Sequence, residues 1–111
     1  YKINIDNFRP GYVTTSDRWD NYWRKGINAA LGWDNSLTGS GNGAKSLGME
    51  LAHSDAFAQC HVKKVFKTVC LRSPVDTADR AQISRMTLSF KSRGYNLKQV
   101  FAEAASYCKG D

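Results

Sequence analysis

Apolar positions follow two regimes along the chain, and the regular one begins at residue 44. From there they recur three and four residues apart, the spacing of one helix face. Ala44 to Ala52 can close a short helix through Leu47 and Leu51. Ser54 is placed to cap a longer helix from Asp55 to about Leu71, in which Ala58, Val62, Val65, Phe66 and Val69 share one face. Lys63, Lys64 and Lys67 fall opposite, and Ser73-Pro74 stops the run. A third helix is predicted from Asp76 or Thr77 to about Arg93, with Ile83, Met86 and Phe90 inward and Gly94 as its C′ residue. Asn96 caps a last helix, with Leu97, Phe101, Ala104 and Cys108 expected as its inner stripe. Short connections make the last three helices run up, down and up.

The first 43 residues are less regular. Ile3 and Ile5 alternate with polar neighbours before a Pro10-Gly11 turn, the pattern of a short extended segment. Trp19, Trp23 and Ile27 are four apart and predict a short helix starting near Ser16 or Asp17, within a 17–33 stretch that also holds Tyr22 and Trp33. Residues 34–43 read as a glycine-rich loop. The expected fold is mainly α: a small helical bundle behind an irregular, aromatic-rich N-terminal part, in one domain of 111 residues. Residues 1–43 form the irregular part of that domain and 44–111 its helical core. No stretch approaches the ~18 apolar residues of a membrane span. The chain opens on Tyr1 without a signal pattern, so it is expected to be a domain excised from a larger protein.

Charge divides as unevenly as periodicity. Residues 1–55 carry six basic and six acidic side chains, whereas residues 56–111 carry ten basic against four acidic and so hold the whole net +6. Lys63, Lys64 and Lys67 with Arg72 suggest a basic ridge for an acidic or carbohydrate partner. No basic-aromatic interleaving accompanies them, which argues against nucleic acid. Trp19 and Trp23, with Tyr22 and Trp33, are a candidate sugar-stacking platform, with core or interface packing as the default reading.

The three cysteines constrain one another. Cys60 and Cys70 lie ten residues apart on one predicted helix, ~15 Å by helical rise and beyond the ~7 Å a disulfide spans. In an up-down-up bundle Cys70 and Cys108 sit at adjacent helix ends, so they are predicted to pair in an oxidising compartment, periplasmic or extracellular; in a reducing one they stay thiols. Cys60 remains unpaired between Lys64 and Lys67, where ammonium groups favour thiolate. The preferred reading is a small packing residue covered by the neighbouring short helix.

Other motifs are partial. Phe57-Ala58-Gln59-Cys60-His61 matches a single-cysteine haem c attachment site, with His61 as proximal ligand and Met49, Met86 or His53 as distal candidates. Gly39 to Ala44 spells G-x-G-x-x-A without a preceding strand, and Ala44-Lys45-Ser46 resembles the end of a phosphate loop with alanine where glycine is required. Two His and three dispersed Cys are too few for a zinc site, and no nucleophile elbow is present. Arg72 closes one helix and Asp79 opens the next, so the two are expected to form a structural pair across the corner.

Phe57 and Cys60, Val65-Phe66, Arg72 with Pro74 and Asp79, Phe90, and Gly94-Tyr95 with Leu97-Lys98 form a spaced pattern between Ala52 and Cys108. It resembles the C-terminal helical domain of unknown function in large secreted, cytochrome-associated proteins of planctomycetes and other Gram-negative bacteria. The resemblance implies a helical accessory module without a reaction of its own, beside domains that carry CxxCH haem sites. This chain lacks CxxCH, and Cys70 and Cys108 lie outside the pattern. The function expected is therefore a non-catalytic module with no cofactor, packing against sister domains or binding an acidic or carbohydrate ligand. The alternative is an electron-transfer domain holding haem c through Cys60.

Overall fold

The computed structural model describes residues 15–109; the Ile3/Ile5 segment and the Pro10-Gly11 turn lie outside the described residues. Strand β1 (Arg18–Asp20) pairs antiparallel with β2 (Ser40–Asn42), placing Trp19 opposite Gly41. Four helices follow: α1 (Gly43–Ala52), α2 (Asp55–Cys70), α3 (Thr77–Ser92) and α4 (Leu97–Cys108). Three begin on the predicted caps. The Ser54, Asp76 and Asn96 side chains accept from the backbone N–H groups of Phe57, Asp79 and Gln99, each satisfying a donor that the first helical turn leaves unpaired.

Helices α2, α3 and α4 pack into a bundle around Ala58, Val62, Val65, Phe66, Ile83, Met86, Phe90, Val100 and Ala104. The inner faces of α2 and α3 are those their periodicity predicts. That of α4 is not. Leu97 and Phe101 remain 42% and 44% exposed, and the buried line runs through Val100 and Ala104, with Tyr107 and Cys108 packed behind it. The helix is rotated so that its smaller side chains face the cleft between α2 and α3, which leaves the two large ones on its flank. The Tyr95 ring meets Phe90 of the core on one side and His53 on the other, edge-on to both.

The helix predicted from Ser16 or Asp17 does not form. In its place stand β1, a 3₁₀ turn over Tyr22–Arg24 and another over Gly26–Leu31. Asn21 breaks the run by accepting from the Trp23 N–H, and Gly26 takes a positive φ that an α-helix does not allow. Trp19 leaves the supposed stripe to donate its indole N–H to Ser46, while Ile27 points to solvent. The glycine-rich loop contains the partner strand, because Gly41 offers a bare surface for the Trp19 ring.

One joint ties the N-terminal part to the bundle. The Asp55 N–H donates to Gly32 O at 2.7 Å, and the Asp55 carboxylate pairs with Lys91 of α3. Gly32 has φ +73°, and a Cβ there would overlap the Asp55 carboxyl group. Gly32→Ala is expected to destabilise the fold by about 1–2 kcal/mol. A urea titration returning wild-type stability would show that Asp55 yields freely and that the joint is slack.

Candidate functional site

Two buried carboxylates draw first attention, since such groups are the usual carriers of proton chemistry. Asp79, in the first turn of α3, is buried, and its acceptor positions are filled. Arg72 grips it with two guanidinium N–H groups, the Tyr107 hydroxyl donates to Oδ1 at 2.9 Å, and the Val75 N–H donates to Oδ2 at 3.0 Å. Arg72 holds the Asp79 carboxyl far below the ordinary carboxylate range, although burial pushes the other way; Val75 and Tyr107 add to the lowering. The same hydroxyl bond raises Tyr107. Arg72 also lies over the Phe66 ring, 5.3 Å from its centre. Asp79 is therefore a structural anion, and the predicted Arg72/Asp79 pair is present as scaffolding.

Glu50, on α1, repeats the arrangement. Arg24 donates from Nε at 2.7 Å and from Nη2 at 2.8 Å, and Asn21 donates at 2.9 Å. Arg24 lowers the Glu50 pKa against the opposing effect of burial, with help from Asn21. A second bond from Arg24 Nη2 to Asp34 O pins the loop after the 3₁₀ turns. This pair escaped sequence reasoning because its members are 26 residues apart. The available signal was a glutamate three residues after Leu47 on a short amphipathic helix, where a buried charge requires a partner. Asp79 accepts four hydrogen bonds and Glu50 three, and an arginine holds each as a buried ion pair, an arrangement that braces the fold.

The cysteines sort as predicted in one respect and otherwise not. Cys70 and Cys108 are joined, with Cα atoms 5.4 Å apart, bringing the C-terminal ends of α2 and α4 together. Cys60 is exposed rather than packed beneath α1, because α1 does not cover that side of α2. His61 is half-buried and leans on the Phe57 ring, 4.3 Å between centres. It borders a shallow cleft of about 270 Å³ shared with Ala52, Phe57, Phe90, Tyr95 and Leu97. Of the distal haem ligands considered, Met86 is locked in the core, and His53 has Nδ1 2.7 Å from Met49 O. The phosphate-loop resemblance has no geometry behind it: the Gly43 N–H donates to Asp17 O, and the Ser46 hydroxyl is shared between Trp19 and the Asn42 and Gly43 carbonyls. Among the described residues no three His, Cys, Asp or Glu side chains converge as a metal site would require.

The surface candidates separate into two regions. Lys63, Lys64 and Lys67 are exposed on α2, with Lys63 on the side toward α3, but Arg72 turns to Asp79, so the ridge has three members rather than four. Trp19 and Trp23 do not form one platform. Trp19 belongs to the β1–α1 joint, and Trp33 donates its indole N–H to the Trp23 and Asn28 carbonyls. Trp23 instead shares an open cleft of about 280 Å³ with Tyr22, Leu47, Leu51, Asp20 and Asn21. No protein-family model, curated protein or solved structure matches the chain.

Proposed function

We propose that the chain is a non-catalytic interaction module of a larger exported protein, which packs its N-terminal aromatic cleft against a sister domain. The observation that carries this reading is the exposure of Tyr22 and Trp23, at 82% and 57%, beside Leu47 and Leu51. Large apolar side chains gathered on a surface mark a contact that the described residues leave uncovered. The half carrying them is electrically balanced, six charges of each sign, which suits an apolar folded neighbour better than a charged polymer. The disulfide supports an exported setting, where such bonds persist. The resemblance of residues 52–108 to accessory domains of secreted, cytochrome-associated proteins points the same way.

The paired substitution Tyr22→Ser and Trp23→Ser tests it. Wild-type protein is expected to bind the dye 8-anilinonaphthalene-1-sulfonate in its folded state, and the variant to lose that binding while its stability stays within about 0.5 kcal/mol. A large stability loss would assign these side chains to folding and end the reading. A visible spectrum of the purified protein separates this reading from the electron-transfer alternative. No Soret band is expected, and one that disappeared in Cys60→Ala would replace the module reading with haem attachment.

A further inference from the structure

We propose that the cleft between α2 and α3 is a second docking site, electrostatic in character, and that its ligand is an acidic peptide segment. The cleft has a volume of about 230 Å³ and is lined by Gln59 and Lys63 from α2, Pro74 from the connection, and Arg80, Ile83 and Ser84 from α3. Gln59 and Lys63 stand one turn apart on one wall, as Arg80 and Ser84 do on the other. No carboxylate lines it.

The carboxylates on the neighbouring helices have partners of their own. Among the described residues, Asp55 is held by Lys91, Asp79 by Arg72 and Tyr107, and Glu103 by Ser89 and Gln99, while Asp76 caps α3. Lys63 and Arg80 make no ion pair among those residues; the nearest polar side-chain contact of Arg80 is to Thr77 at 3.5 Å. Lys64 and Lys67 continue the same sign along α2. A protein that spends its acids on internal bonds and leaves facing cations unpaired across a cleft presents a complementary surface for anions.

The lining selects among anions. Pro74 and Ile83 give an apolar floor, suited to a short aliphatic side chain between two carboxylates. No aromatic ring borders the cleft to stack on a sugar or a base. A peptide alternating acidic and aliphatic residues fits both walls and floor, as basic clusters bind acidic motifs elsewhere. This inference stands apart from the aromatic cleft, so either can fail alone.

The test is fluorescence anisotropy of a labelled peptide of Glu-Glu-Leu repeats at low salt, against the full chain. Lys63→Glu with Arg80→Glu is expected to weaken binding by about tenfold or more. Arg93→Glu with Lys98→Glu, an equal change of net charge beyond the far end of α3, is expected to stay within about twofold. If the first pair unfolds the domain by circular dichroism, Lys63→Gln with Arg80→Gln is read in the same assay. Equal losses from the two charge-reversal pairs, no binding by wild type, or binding of a heparin fragment in place of the peptide would each overturn the proposal.

Discussion

Replacing both Cys70 and Cys108 with serine is expected to lower the stability of the bundle by about 4 kcal/mol, while Cys60→Ser leaves it within about 0.5 kcal/mol. The bridge closes a loop with a sequence separation of 38 residues, spanning all of α3 and almost all of α4. In the unfolded chain that closure removes conformations that would otherwise compete with folding. For a domain of this size the loss is a large share of the total stability. The consequence is sharpest for α4, which buries only Val100 and Ala104 fully and leaves Leu97 and Phe101 at its flank. Urea denaturation of the double variant is the measurement. A difference below about 1 kcal/mol would mean that α4 docks without the bridge. Non-reducing peptide mapping that joined Cys60 to Cys108 would refute the helix order itself.

Asp79→Ala is expected to lower the melting temperature by about 10 °C, more than Tyr107→Phe, which costs a few degrees. The alanine strands the Tyr107 hydroxyl and the Val75 N–H and releases Arg72 from the corner between α2 and α3. Its signature lies in the pH profile. Arg72 holds the Asp79 carboxyl below its ordinary value in the folded state, so the unfolded chain takes up the proton first as pH falls. The stability contributed is complete above the ordinary carboxylate value of about 4 and is lost as pH drops below it, toward the depressed native value. Glu50, also lowered, by Arg24, adds to the same acid limb. Tyr107 behaves oppositely. Its bond to Asp79 raises it, so its contribution is complete below about pH 10 and lost as pH climbs through the raised value. Chemical denaturation along a pH series should show a shallower acid limb in Asp79→Ala and a shallower alkaline limb in Tyr107→Phe. Acid limbs that run parallel in wild type and Asp79→Ala would sink the assignment.

What the chain discloses before folding depends on how local the cause is. Ser54, Asp76 and Asn96 act on backbone groups three residues away, so the starts of α2, α3 and α4 are legible at once. The Arg72/Asp79 pair spans one connection and is legible for the same reason, as is Cys70–Cys108 once the helix order is drawn. The Trp19, Trp23 and Ile27 spacing misleads because a strand partner more than twenty residues away outweighs it. Arg24–Glu50 depends on that same long-range closure. On α4 the periodicity is real and places Ala104 and Cys108 correctly, but Val100, in place of the larger Leu97 and Phe101, completes the line that fits the groove between α2 and α3. The exposure of Cys60 depends on where α1 lies against α2, a tertiary relation that no local spacing encodes.

The bridge also decides how the domain bears load. A pull entering α4 from its C-terminal side meets Cys108 and passes through sulfur to the end of α2, bypassing α3 and most of α4. While it is intact, 38 residues of separation, on the order of 130 Å of extended chain, are hidden from the force. Once it is reduced, the same pull peels α4 away from Ala104 inward. Tethered between neighbours, the oxidised domain is a short, stiff link and the reduced one a long, compliant one.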